Sequence, residues 1–156
     1  MRRWDGRGLE GLPLQLLIVA VILGISLPIV YAGFDNYDKS RVDSATRAEA
    51  GRAMSLAALL YAGGPGNSDT LTIDIPNGVL GHVEYFALGG PLGSLEASSV
   101  RYRMLGGIEQ RVTPSNSFVQ ITTLAGTALS FGAGKHQVQM ECVSGLNATY
   151  VQVKEL

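Results

Sequence analysis

Residues 11–34 read GLPLQLLIVAVILGISLPIVYAGF, a stretch of 24 residues with no charged side chain, in which Gln15 and Ser26 are the strongly polar residues. A helix rising about 1.5 Å per residue needs about 20 apolar residues to cross a hydrocarbon layer of about 30 Å. A buried helix of a water-soluble protein would show polar residues at helical spacing, and this one does not. The stretch therefore reads as a membrane-inserting helix, bounded by Glu10 and Asp35. Arg2, Arg3 and Arg7 precede it. Positive flanks stay on the cytoplasmic side, so the residues after Asp35 are expected outside the cell. The same pattern also fits a removable secretory signal, with Val30-Tyr31-Ala32 as a small-residue cleavage site that would free a chain beginning at Gly33.

Within the stretch, Pro13 is expected at the helix start, where its missing N–H costs nothing. Pro28 is expected to kink the last turns. Ala20, Gly24 and Pro28 recur every four residues and form a narrow stripe of small residues. Such stripes let membrane helices approach closely, although Gly and Pro are also simply common in membrane helices.

The junction upstream reads Arg7-Gly8-Leu9-Glu10-Gly11-Leu12-Pro13. A basic leader, an Arg-Gly pair, a second glycine three residues on and then a hydrophobic helix resemble the archaeal type IV pilin-like proteins and archaellins. The resemblance implies a class III signal sequence. A prepilin-type membrane peptidase would cut between Gly8 and Leu9 on the cytoplasmic side and leave the helix attached. Arg7, Gly8 and Leu9 would then be the processing residues. Bacterial pilins carry a glutamate five residues after the cut, where this chain has Pro13.

Residues 35–61 contain one glycine, no proline and many alanines. Val42, Ala45, Ala48, Ala53, Leu56 and Leu60 fall roughly on one face, which predicts an amphipathic continuation of the helix. Ala62-Gly63-Gly64-Pro65-Gly66-Asn67 stops it. From Asp69 the period becomes two: Leu71, Ile73 and Ile75 alternate with polar residues, as do Val100, Tyr102 and Met104, and Val138, Met140 and Cys142. Gly106-Gly107 predicts a two-residue hairpin into Ile108–Val112. Further strands are expected over Phe118–Thr123, Ala128–Phe131 and Val151–Val153. Seven or eight short strands separated by Gly, Pro and Asn turns predict a β-sandwich or small barrel. The expected organisation is α+β: a leader (1–8), a transmembrane helix (9–34), an amphipathic helical extension (35–62) and an extracytoplasmic β-sandwich head (63–156).

The chain's 156 residues allow one compact domain and little more. A net charge of −1 excludes holding nucleic acid by bulk positive charge. The single cysteine excludes an internal disulfide. His82 and His136 have no His or Cys neighbour at metal-ligand spacing, and neither a nucleophile elbow nor a phosphate loop is present. No enzyme activity and no cofactor are expected. Cys142 shares the parity of core residues. Arg101, Arg103 and Arg111 could gather on a polyanion-binding face, but Glu109 shares their hairpin and an ordinary solvated face is the readier reading. Asn147-Ala148-Thr149 is an N-glycosylation sequon.

These features point to a structural cell-surface protein, pilin-like, anchored or polymerised through its hydrophobic helix. Its expected partners are membrane lipid, the processing peptidase and further copies of itself or other pilin-like subunits. The alternative is a monomeric membrane-anchored binding module for an envelope partner or glycan.

Overall fold

A computed structural model describes the backbone of residues 7–114, 118–146 and 148–156, and the side chains of those from residue 14 onward. Helix α1 spans Arg7–Gly63, 57 residues without interruption. Pro13 thus lies inside the helix rather than at its start, where it withholds the N–H that the Leu9 carbonyl would accept. The helix also continues through Pro28.

The helix stops where the glycine run begins. Gly64 and Gly66 take φ of +86° and +93°, values that side-chain-bearing residues avoid. Asn67 completes the stop, its Nδ2 donating to the carbonyls of Gly63 (2.6 Å) and Gly64 (2.9 Å). The Gly63 carbonyl, one of those a helix leaves unmatched at its end, is satisfied in this way, and the Gly64 amide donates to another, that of Tyr61, at 3.2 Å.

The chain divides into two units between Tyr37 and Asp38. The first is helical wherever it is described. The second contains the rest of α1 and eight strands: β1 (Ser68–Ile75), β2 (Val83–Leu88), β3 (Val100–Met104), β4 (Glu109–Val112), β5 (Ile121–Thr122), β6 (Leu129–Phe131), β7 (Gly134–Ser144) and β8 (Thr149–Glu155). They form two four-stranded sheets, ordered β1-β7-β8-β5 and β4-β3-β2-β6. All pairings are antiparallel except β5 with β8.

The expected α+β class, with a long apolar helix followed by a β-rich head, is what the chain adopts. The amphipathic part of α1 belongs to the head, not to a separate extension. Val42, Ala50, Ala53, Met54, Ala57 and Leu60 form one buried cluster with Ile73, Phe86, Tyr102, Met140 and Val153 from both sheets. Their spacing of three and four residues keeps them on one helix face, and the alanines let the helix lie close to the strands. The expected face was rotated. Ala48 is exposed, and Ala45 and Leu56 are only half-buried.

Alternation located most strands. Val138, Met140 and Cys142 on β7 are buried, while Gln137 and Glu141 are exposed and Gln139 is half-buried. Strand β2 departs from that pattern. Phe86, Ala87 and Leu88 are buried in succession, and its register with β3 shifts between Val83 and Tyr85. The Gly106-Gly107 hairpin is longer than two residues, since the last pair before the loop is Arg103 with Glu109. The Gly107 amide donates to the Met104 carbonyl at 2.8 Å, and Gly106 sits third in that turn with φ +73°, as a type II turn requires. Phe118–Thr123 contributes only two strand residues. The Ile121 amide is diverted to the Ala97 carbonyl, and a Thr123–Thr127 turn ends the segment.

Candidate functional site

Two regions of the molecule offer function: the uncovered apolar helix, and the end of the head where the chain enters it from that helix.

Every residue from Leu14 to Phe34 is exposed, and the window that is apolar enough to cross a membrane has none of its residues buried. It is the one such helix among the described residues. At about 1.5 Å per residue, residues 14–34 extend roughly 31 Å, the thickness of a hydrocarbon layer. Tyr31, Phe34 and Tyr37 stand exposed at its C-terminal end, and aromatic side chains of this kind suit a membrane–water boundary. Ala20, Gly24 and Pro28 are exposed with the rest, and a Cβ added at Gly24 would meet nothing within 4 Å. Pro28 has no N–H to offer the Gly24 carbonyl, so that carbonyl lacks its intrahelical donor beside the smallest residue of the stripe. Arg7, Gly8 and Leu9 form the beginning of α1. Asn147 lies outside the described residues.

The second region is built around Asp38, the first residue of the head unit and a buried carboxylate. Its Oδ2 accepts hydrogen bonds from the amides of Leu80 (2.7 Å) and Gly81 (3.0 Å). Those two amides hold its carboxyl below the usual carboxylate range, and the nearby Arg41 charge adds to the effect. The loop packs so tightly that a Cβ on Gly78 would lie 2.6 Å from Asp38 Oδ2, 2.7 Å from the Gly81 carbonyl and 2.8 Å from Val42 Cγ2. Five residues on, Asp43 accepts a 3.0 Å bond from the Tyr102 hydroxyl on β3. Tyr102 is fully buried, and that burial together with the Asp43 carboxylate pushes its hydroxyl up to about 12. Local periodicity could not have found either contact, because the partners are 42, 43 and 59 residues apart.

The remaining candidates are occupied by ordinary partners. Arg101 and Arg111 face each other across β3 and β4, but Arg101 pairs with Glu96 at 3.0 Å and Arg111 lies 3.7 Å from Glu109. Arg103 donates two bonds to Glu84, at 2.8 and 2.6 Å, and lies over the Tyr85 ring, whose hydroxyl donates to Glu109. Each arginine is matched by a glutamate, which removes the attraction a polyanion would need. His136 has Nδ1 against Glu155 at 2.7 Å and Nε2 against the Gly132 carbonyl at 3.2 Å, with its ring stacked on Phe131. Cys142 is buried, and burial pushes its thiol up, which makes it a poor nucleophile. Among the described residues no group of three or more His, Cys, Asp or Glu could hold a metal ion. At the opposite end of the head, Leu92, Gln120, Leu146 and Tyr150 line an open cleft of about 490 Å³.

No protein-family model, curated protein or solved structure matches the chain.

Proposed function

We propose that this chain is a structural cell-surface subunit of the pilin-like kind, held in the membrane or in a filament by α1 and presenting its β-rich head outside the cell. The observation that carries the reading is the bare helix: residues 14–34 expose an apolar surface the length of a bilayer, and the same helix continues into the core of the head. Water would penalise that surface heavily, so it requires lipid or equivalent helices around it. Cleavage between Gly8 and Leu9 fits this role because it keeps the helix, and the positive charges of Arg2, Arg3 and Arg7 orient the leader to the cytoplasm.

The anchored binding module is favoured by a separate observation, the distal cleft at Leu92 and Tyr150. Crosslinking in membranes separates the two. Under the subunit reading Gly24→Leu abolishes crosslinked oligomers while leaving insertion intact, because leucine is compatible with lipid but pushes helix backbones apart. Equal crosslinking of the two proteins would remove the helix-packing mechanism, and no crosslinking in either would leave the monomeric module.

A further inference from the structure

Turn tips are usually made of Gly, Pro, Asn, Asp and Ser. At the end of the head that receives the chain, two glycine-containing turns also carry exposed branched apolar residues. The Gly78 amide donates to the Gly81 carbonyl at 2.9 Å, closing a turn whose tip is Val79, 75% exposed. The next two amides of that loop are bound to Asp38. The β3–β4 turn lies against the same loop, since the Leu105 amide donates to the His82 carbonyl at 2.8 Å and Val83 pairs with Met104. That turn carries Leu105, 65% exposed, and Ile108, 78% exposed. Three branched apolar side chains thus project from two turns fastened to Asp38 and to each other.

Asp38 is four residues beyond Phe34 on one continuous helix, which is about 6 Å of rise. The polar layer on each side of a hydrocarbon core is roughly 5–8 Å thick. We propose that Val79, Leu105 and Ile108 seat the head on the bilayer, their side chains entering the headgroup layer. The inference rests on the reading of α1 as a membrane anchor. Lipid is the occupant that covalent continuity with that apolar segment supplies. Charges near the turns have both signs, from Asp38, Lys39 and Arg41 to the Glu84–Arg103 pair. The contact is therefore apolar and insensitive to salt. Leu124 provides an internal control. It is more exposed than any of the three, but its loop leads into β6, which pairs Leu129 with Leu88 at the far end of β2.

The test uses the full chain in phosphatidylcholine vesicles, with an environment-sensitive fluorophore on single cysteines replacing Val79, Leu105, Ile108, Leu124 or Ile22. Cys142 is buried, and the unsubstituted chain measures its background labelling. A nitroxide on the lipid headgroup should quench most of the emission from positions 79, 105 and 108 at both low and high salt, and leave position 124 bright. A nitroxide deep in the acyl chain should quench position 22. Unquenched turns with a quenched position 22 would overturn the seating while leaving the anchor intact. An unquenched position 22 would overturn the anchor and the seating with it. Turn emission that shifts blue without nitroxide quenching, and reverts when protein is diluted in lipid, would assign the patch to a second copy and overturn the proposal.

Discussion

Replacing Tyr102 with Phe removes the hydroxyl that ties sheet β4-β3-β2-β6 to α1 and changes little else, because the ring stays in its buried site. The bond it deletes is 3.0 Å long and ends on the Asp43 carboxylate. A hydrogen bond to a charged group is worth about 1.5–3 kcal/mol. Asp43 is only half-buried and water can replace the lost donor, so the lower end applies, about 1.5 kcal/mol. With an unfolding entropy of about 2.1 cal/mol/K per residue, a head of this size should lose about 6 °C in Tm.

Thermal unfolding of the full chain in detergent, followed by circular dichroism, measures this. The double-mutant cycle with Asp43→Ala isolates the pair. The two single losses should exceed the loss in the double mutant by about 1 kcal/mol. The sign of the pH dependence is a second check. Tyr102 ionises at an ordinary value near 10 when unfolded and near 12 when folded, so stability holds below pH 10 and falls as pH rises from 10 towards 12. Tyr102→Phe should flatten that fall. Additive losses within about 0.5 kcal/mol would refute the claim that this bond fastens helix to sheet.

Gly78→Ala should destabilise the head by about 1–3 kcal/mol, because its Cβ has no room between Asp38, Val42 and the Gly81 carbonyl; a denaturant midpoint equal to that of the parent would contradict the packing. A fragment of residues 38–156 should unfold cooperatively, whereas one of residues 69–156 should not. A cooperative transition in the shorter fragment would show that α1 is dispensable to the core. Pro13→Ala restores the donor that the Leu9 carbonyl lacks, worth about 0.5–1.5 kcal/mol against unwinding the helix at the proposed Gly8–Leu9 cleavage site. Processing by a prepilin-type peptidase should slow by about 2- to 12-fold, and an unchanged rate would dismiss the effect.

The features legible in the sequence were those with an unbroken local signature. The uncharged run before Asp35 declared the helix, and polar residues on alternate positions declared β1, β3 and β7. Strand β2 was hidden because Phe86, Ala87 and Leu88 are covered on both faces, and a bulge disturbs what alternation remains. The buried helix face was mis-phased because alanine occurs on both sides of α1 and carries little phase information. Ala48 faces water, while Ala50 and Ala57 face the core. Two polar residues on the buried face misled the pattern further. Thr46 returns its hydroxyl to the Val42 carbonyl, and Asp38 is satisfied by a loop more than forty residues away. The apolar turn tips were visible as residues, but nothing local reveals that β2 and β3 bring them to the same end as Asp38.

An anchored subunit must keep its hydrophobic helix in the mature protein. Intact-mass measurement of protein extracted from native membranes, with N-terminal sequencing, decides this. A chain beginning at Leu9 and retaining residues 11–34 is the predicted result, with Gly8→Val accumulating the uncut form. A mature chain beginning at Gly33 would mean that the helix is a discarded secretory signal, and would contradict the anchored subunit.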